Sequence, residues 1–277
     1  VGKVLANKVQ KGVIQAGQHS ISNLAPFCPP VDLINIPYWS AKNQRYVSLV
    51  TSNTWKEVVD PKLAKAGFKV LWYPSNGART FSVRRGNTPI LKAADLQGIK
   101  FRVPGSPMLQ QFVRLLGANP TPVAWGETPS AMKQGVADAC DVTLTALWNF
   151  KFHDILGHIT FANSVHGGQV YSCNLDWYNN LPGNVREGLD YASEVTSRQA
   201  YAKMPAAESF AKADMMKAGV KFHHLSDDAM AEMVSLGGHQ RSEYDKVKIK
   251  VAGSLAAFDK LNEAAGQINP GYIIDSL

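Results

Sequence analysis

The chain has 277 residues, 45% of them hydrophobic and 18% charged, which is enough for one large or two ordinary domains and excludes disorder as its main state. No stretch reaches the roughly 18–20 consecutive apolar residues that a membrane span needs. Lys and Arg outnumber Asp and Glu by 29 to 22, a net charge of +7, but the densest basic runs, Arg84-Arg85 and Lys246 to Lys250, are short and lack interleaved aromatics, so no nucleic-acid partner is expected.

Taken in order, Val4, Leu5, Lys8 and Val9 have helical spacing, Gly12 reads as a C-cap, and Val13 to Ala16 as a short strand. The chain opens at Val1 with neither a methionine nor an apolar signal segment, which reads as a processed form or a fragment. Helical patterns then cover Ala41 to Val59 and Pro61 to Ala66, and a strand is predicted at Lys69 to Tyr73. Further strands are predicted at Phe101 to Val103, Thr121 to Val123, Ala139 to Val142 and Gln169 to Cys173. Helices are predicted at Ser106 to Leu116, Thr128 to Gln134, Trp148 to Phe152, Gly183 to Ala218, Asp227 to Ala252 and Ser254 to Ala265. Asp60-Pro61 and Leu181-Pro182-Gly183 mark helix starts, while Gly67, Gly117 and Gly219 mark ends.

This alternation of helix and strand favours an α/β architecture. Lys8 to Ala16 is echoed by Met132 to Ala139, each a helix ending on Lys or Gln with Gly and passing at once into a strand. Such an echo is what two similar α/β lobes leave in a sequence. Two lobes imply a cleft, and ligands of open α/β sheets sit in the crevice at the strand ends.

Several segments then stand in an informative order: Asn76-Gly77-Ala78-Arg79, Pro89-Ile90, Asp95 to Pro104 (Asp-Leu-Gln-Gly-Ile-Lys-Phe-Arg-Val-Pro) and Leu116 to Pro122. Trp125-Gly126-Glu127, Ala131 to Asp138, Tyr171 to Asn174 and Leu181-Pro182 continue the series, with Gly12 to Ala16 and Ile36-Pro37-Tyr38 upstream. In that order the chain resembles the solute-binding proteins of tripartite ATP-independent periplasmic (TRAP) transporters over nearly its whole length. The resemblance implies a two-lobed Venus-flytrap fold with a long helix bridging both lobes. It divides the chain into lobe I (1–76 plus 169–207) and lobe II (77–168 plus 208–277). It also implies that the family's first strand, helix and second strand precede this sequence.

The resemblance places Arg102 as the carboxylate clamp of a small organic acid, since a guanidinium is a rigid fork for two carboxylate oxygens. By residue type alone Arg102 reads as a surface arginine at a strand end. Arg79 would reach the same ligand, although extra residues around Arg84 to Asn87 separate the two arginines, and an ion pair within the hinge is the alternative. Trp125 would pack over the ligand body or sit in the core. Asp141-Val142 fall where relatives carry a polar ligand contact, which Val142 cannot make, so a heavily hydroxylated sugar acid is disfavoured. His19, Ser20 and Asn23 follow the first strand in a ligand-facing loop, with an ordinary loop histidine as the alternative. Tyr38 and Trp39 would line the cleft mouth. Gly167-Gly168 and Ser75-Asn76-Gly77 read as the hinge strands.

The function implied is extracytoplasmic capture of an organic acid and its delivery to the membrane subunits of a TRAP transporter, with no cofactor and no metal. The location implied is the periplasm, the chain being a monomer or a homodimer. A ligand-sensing module on the same fold is the alternative, and a periplasmic enzyme a weaker one: Cys140 beside Asp141 is the conceivable nucleophile, but no Gly-x-Ser-x-Gly elbow, phosphate loop or HExxH motif occurs. Cys28, Cys140 and Cys173 are widely spaced without a CxxC pair, which suggests neither a disulfide framework nor a zinc site.

Overall fold

The computed structural model describes residues 2–272, with the side chain of Val251 left out; Val1 and 273–277, at the ends of the expected lobes, lie outside the described residues. In chain order, α1 (Lys3–Gln10) leads to β1 (Ala16–Ser20) and α2 (Ile21–Leu24), and a buried 3-10 turn, Pro29–Asn35, precedes α3 (Asn43–Thr51) and α4 (Asn53–Lys65). Next come β2 (Phe68–Trp72), β3 (Ser75–Arg84), β4 (Lys100–Val103), α5 (Pro107–Leu115), β5 (Asn119–Pro122), α6 (Thr128–Lys133), β6 (Ala139–Thr143) and α7 (Leu144–Asn149). The chain continues through β7 (Leu156–Phe161), β8 (His166–Asn174), α8 (Leu175–Asn179), α9 (Gly183–Lys217), β9 (Lys221–His224), α10 (Asp227–Gly237), α11 (Asp245–Ala252) and α12 (Leu255–Gly266).

Several local outcomes differ from the sequence reading. The first strand begins at Ala16, because the N–H groups of Val13 and Ile14 both turn back to the Lys8 carbonyl and close the end of α1. The helix expected up to Val59 breaks at Ser52, whose hydroxyl accepts from the Trp55 N–H as an N-cap, while Pro61 lies inside α4 instead of opening a new helix. The stretch expected as one helix from Asp227 to Ala252 is α10 and α11 separated by a 3-10 turn at Ser242–Tyr244. Strands β3 and β7 were missed: along most of β3 both faces are buried, so no alternation of polar and apolar residues marks it.

In one lobe the second half of β8 runs antiparallel between β1 and β2. In the other, β4 lies parallel between β5 and β6, and β3 is antiparallel to both β6 and β7, with β9 parallel to β7 at the edge. Strands β3 and β8 pass between the lobes and pair there, Ser75 opposite Gly168 and Ala78 opposite His166. Helix α9 bridges the lobes as expected. Its Tyr201 hydroxyl donates to the Tyr73 carbonyl at 2.6 Å on one side, and its Ala211 and Met215 are buried on the other.

Among the described residues the first lobe has one core, which includes Trp39, Trp55 and Phe68, and the second has two, one on each face of its sheet. Tyr244, Phe258, Leu261 and Ala265 belong to the first of these. The C-terminal helices α11 and α12 therefore pack on lobe I, where the division at residue 208 would put them on lobe II. The physical reason is the amphipathic face of α12: its Phe258 ring lies 4.9 Å from Trp39, and its Asn262 accepts from the Trp39 indole N–H.

Gly167 and Gly168 sit in β8 with ordinary strand geometry, so crowding and not backbone freedom demands glycine there. A Cβ on Gly167 would come 2.0 Å from the Thr143 methyl, and one on Gly168 would come 2.9 Å from the Tyr46 ring and 3.0 Å from Ile34. Gly77 differs: its φ of +84° is a conformation that favours glycine.

Candidate functional site

Strand alternation decides which side chains share a face. In the antiparallel pairing of β3 with β6, Arg79 lies opposite Thr143 and Phe81 opposite Asp141, so Arg79 and Asp141 emerge on one face of the sheet. In the parallel pairing of β4 with β6, Arg102 lies beside Cys140, on the other face with Val142. The first lobe meets the Arg79 side, where the Tyr38 N–H donates to the Ser164 carbonyl at 2.7 Å, whereas the hydrogen-bond and ring partners of Arg102, Val123 and Trp125, belong to the second lobe.

On the first face, Arg79 is buried and its Nη1 donates to the Asp141 main-chain carbonyl at 3.0 Å, while its buried Nε has no partner. The Asp141 carboxylate is fully buried; Oδ1 accepts from the Ser164 hydroxyl at 3.3 Å and Oδ2 is unpartnered. Burial raises the Asp141 pKa to about 6 against the pull of Arg79, Ser164 and Arg102. Two polar groups from the first lobe face this patch. Tyr38 has a buried, unpartnered hydroxyl whose ionisation is opposed by burial and then by Asp141. The Asp32 carboxylate accepts from Asn35 Nδ2 at 2.7 Å and from the Ser106 hydroxyl at 3.0 Å, a hydrogen bond that ties the two lobes together. Nearby at the strand crossing, His166 is stacked on Tyr46 with ring centroids 3.8 Å apart and shares a 2.9 Å hydrogen bond with the Ser75 hydroxyl. Burial first, and then Arg79, lowers its pKa to about 3, so it is neutral at ordinary pH.

On the second face, Arg102 is 3% exposed, and its Nε and Nη2 donate to the Val123 carbonyl at 3.0 and 2.8 Å. The guanidinium lies 5.6 Å from the Trp125 ring, which itself stacks on Phe152 and meets Phe150 edge-on. Val142 is buried in the apolar cluster of that face. Desolvation is the largest reason that the Arg102 pKa falls to about 10, with repulsion from Arg79 adding to it. Among the described residues neither Arg79 nor Arg102 forms an ion pair. The Asp141 carboxylate stands within electrostatic reach of both arginines and Asp32 within reach of Arg79, so the two cations are compensated through the field and not by direct contact, and each repels the other. The arrangement suits an anion held at the edge where the lobes meet.

The other expected residues lie elsewhere. His19 is buried in the first lobe, edge-on to Phe68 at 6.1 Å, with both ring nitrogens unpartnered and a pKa lowered by burial to about 4. Ser20 ends β1 and Asn23 lies in α2 beside Gly2; no hydrogen bond among the described residues links His19, Ser20 or Asn23 to either arginine or to Trp125. Trp39 is a core residue packed against α12, not a cleft-mouth residue; its neighbour Tyr38, at φ +56°, is the one turned toward the second lobe, against Phe112. Asp32, Ser106, Ser164 and His166 were not read as candidates. Ser106 carried a visible signal as the N-cap of α5, but the others are single polar residues in apolar surroundings whose meeting depends on the lobe contact. The three cysteines are buried and free, and burial holds the Cys140 thiol up at about 12. An open cleft of about 450 Å³ lies on the α9 side of the crossing strands, lined by Lys42, Asn43, Asn163, Glu208 and Lys212 among others, and includes none of the candidate residues.

Two α/β lobes joined by crossing strands and a bridging helix are the architecture of a two-lobed solute-binding protein. The family described as bacterial extracellular solute-binding protein, family 7, matches residues 2–244, and the chain belongs to it. Among curated relatives, the C4-dicarboxylate-binding periplasmic protein DctP of Rhodobacter capsulatus is 27% identical over 90% of this chain and 71% of its own length. The 2,3-diketo-L-gulonate-binding periplasmic protein YiaO of Escherichia coli is 24% identical over 94% of this chain and 78% of its own. The fold matches a TRAP periplasmic solute-binding protein of Desulfovibrio salexigens with bound orotic acid (TM-score 0.84, 22% identity, 96% of this chain and 84% of that one). It also matches one of Haemophilus influenzae with bound L-gulonate (TM-score 0.86, 22% identity, 95% and 84%). The family and the two-lobed fold are those that the sequence motifs imply.

Proposed function

We propose that this protein captures a small organic acid between its lobes in the periplasm and delivers it to the membrane subunits of a TRAP transporter, without catalysing a reaction. The observation that carries the reading is the pair of buried arginines in the second lobe, within electrostatic reach of each other and in no direct ion pair among the described residues. Arg102 holds the ligand carboxylate. Its Nε side is fixed by the Val123 carbonyl, so the fork it presents is the end formed by Nη1 and the second proton of Nη2. Arg79, engaged on the Asp141 carbonyl, adds positive field rather than a second fork. Trp125 covers the ligand's apolar part, and Val142 is a wall with no hydrogen-bonding group, which favours acids with few hydroxyls.

The named acid ligands of the relatives and of the matched structures support the carboxylate class. Closure follows from a ligand that touches both lobes, because it stabilises the closed state by its differential affinity. Asp141, His19, Ser20, Asn23 and Trp39 have no part in this reading as ligand contacts: Asp141 serves as the buried counter-charge near Arg79. The test is a thermal-shift screen against mono- and dicarboxylates, sugar acids and aromatic acids, with Arg102→Ala in parallel. A ligand at 100 times its Kd stabilises by about 2.7 kcal/mol, a readily visible rise in Tm. A hit that is lost in the variant supports the clamp; no hit among acids, or a hit indifferent to the variant, overturns it.

A further inference from the structure

Helix α9 passes from one lobe to the other within a few turns. Tyr201 donates to the Tyr73 carbonyl of the first lobe, and Pro205 follows one turn on. Beyond it, Ala211 and Met215 are buried in the second lobe, and the Lys212 ammonium lies 5.2 Å from the Phe161 ring centre. A proline inside a helix has no N–H to donate and crowds the carbonyl four residues back, here that of Tyr201, so the ladder of α9 is weakest at this crossing. Glu208 stands three residues further on. Its Oε2 accepts from Nδ2 of Asn43, the first residue of α3, at 3.1 Å. Its Oε1 lies against Gly77 in the crossing strand β3, 1.9 Å from where a Cβ would stand. One carboxylate therefore touches the first lobe, the crossing strand and the bridging helix. We propose that Glu208 is a positioning residue that sets the angle between the lobes, bracing α9 across its proline to Asn43 and Gly77.

The hinge turn is held from other sides as well. The Gly77 N–H donates to the Ser75 hydroxyl at 3.2 Å, that hydroxyl shares its bond with His166 of β8, and the Thr145 hydroxyl of α7 donates to the Asn76 carbonyl at 2.9 Å. Those contacts tie the turn to β8 and to the second lobe, and Glu208 adds α9 and α3. Glycine at 77 is demanded twice, by φ +84° and by the space that the carboxylate fills. The obstacle to a side chain there is the far end of a flexible glutamate, so a methyl group evicts the carboxylate and leaves the strand in place. The open cleft of about 450 Å³ on this side, which Asn43, Pro205 and Glu208 help to line, gives the lobes room to rock once the brace is released. A contact made at one lobe angle and lost at another biases the equilibrium by its differential contribution. This role concerns the angle alone and stands whether or not the ligand is a carboxylate.

The experiment places spin labels at Lys65→Cys in the first lobe and Lys133→Cys in the second, both exposed positions, and measures their distance distribution by double electron–electron resonance in the full chain with no ligand added. A control without the two new cysteines measures any labelling of the three native ones, which are buried. Glu208→Ala should change the ratio of lobe arrangements about fivefold, the effect of one net hydrogen bond, and Asn43→Ala should do the same. Glu208→Gln, whose amide oxygen still accepts from Asn43, should stay within twofold of wild type. Gly77→Ala should reproduce the Glu208→Ala distribution, and adding it to Glu208→Ala should change the distances no further, although its left-handed φ lowers Tm in both backgrounds. Glu194→Ala, on the same helix and paired with Arg198, should leave the distribution unchanged. A residue with a merely structural part lowers Tm without moving the distances. Distributions that stay as in wild type in both folded alanine variants, or an equal change in Glu194→Ala, overturn the proposal; should Glu208→Ala fail to fold, Asn43→Ala decides it.

Discussion

The Arg79 guanidinium holds the Asp141 main-chain carbonyl, not the Asp141 carboxylate, at 3.0 Å, and leaves a buried Nε and a buried Oδ2 without partners. The two charges therefore neutralise each other through the field while their hydrogen-bonding capacity stays directed elsewhere. Removing one of them strands the other. Arg79→Met should destabilise the fold by roughly 3 kcal/mol, the scale of leaving a buried charge uncompensated. Adding Asp141→Asn to it should recover at least about 1 kcal/mol, a coupling typical of neighbours in one network. Urea unfolding of the two single variants and the double variant measures this; strict additivity would show that the charges are independent.

The pH dependence of stability has two opposed contributions. His166 binds its proton at about 3 in the native state against 6.5 when unfolded, so between those values the unfolded chain holds more protons and stability falls as pH drops. Asp141 binds at about 6 natively against 3.8 unfolded, so stability rises as pH drops through that window. From pH 7 to 5, His166→Gln should lose about 2 kcal/mol less than wild type and Asp141→Asn about 1 kcal/mol more, at about 1.4 kcal/mol per unit. Denaturant melts at pH 7, 6 and 5 test both signs, and parallel curves for all three proteins would refute the assignment.

Arg102→Lys keeps the charge and loses the fork. Affinity for the acid found in the screen should fall at least tenfold, about 1.4 kcal/mol, because a point charge replaces a planar bidentate donor. Trp125→Ala should discriminate among ligands, weakening acids with a ring or a longer apolar body far more than the smallest acids. Calorimetric titration of a short ligand series checks both, and equal losses across the series would remove Trp125 from the site.

Two glycine substitutions should act in opposite directions. Gly168→Ala pushes a methyl against Tyr46 and Ile34 in the crossing strand and should cost about 1–3 kcal/mol, the range for overpacking a tight core. Gly188→Ala, in α9 with open space around it, should add about 0.5–1 kcal/mol by restricting the unfolded chain. Thermal melts of both proteins decide this, and a neutral Gly168→Ala would mean that β8 shifts freely between the lobes.

Much of this protein is local and therefore legible in its sequence. Glycine after a helix, proline before one and alternating elements settle most helices and strands and the α/β class, while Arg102 is singled out only by the resemblance that Gly-Ile-Lys-Phe-Arg-Val-Pro carries. Where both faces of a strand are buried, as in β3, no periodicity survives to be read. Contacts between residues far apart in the chain are decided only in three dimensions. The seating of α12 on Trp39 and the bond from Ser106 to Asp32 depend on which apolar faces and polar groups meet when the lobes fold together. The same holds for the pairing of His158 with His223 across two strands, 65 residues apart. Residue type and spacing set the chemistry each side chain can perform, and the burial of one lobe against the other sets which of that chemistry is brought to a single place.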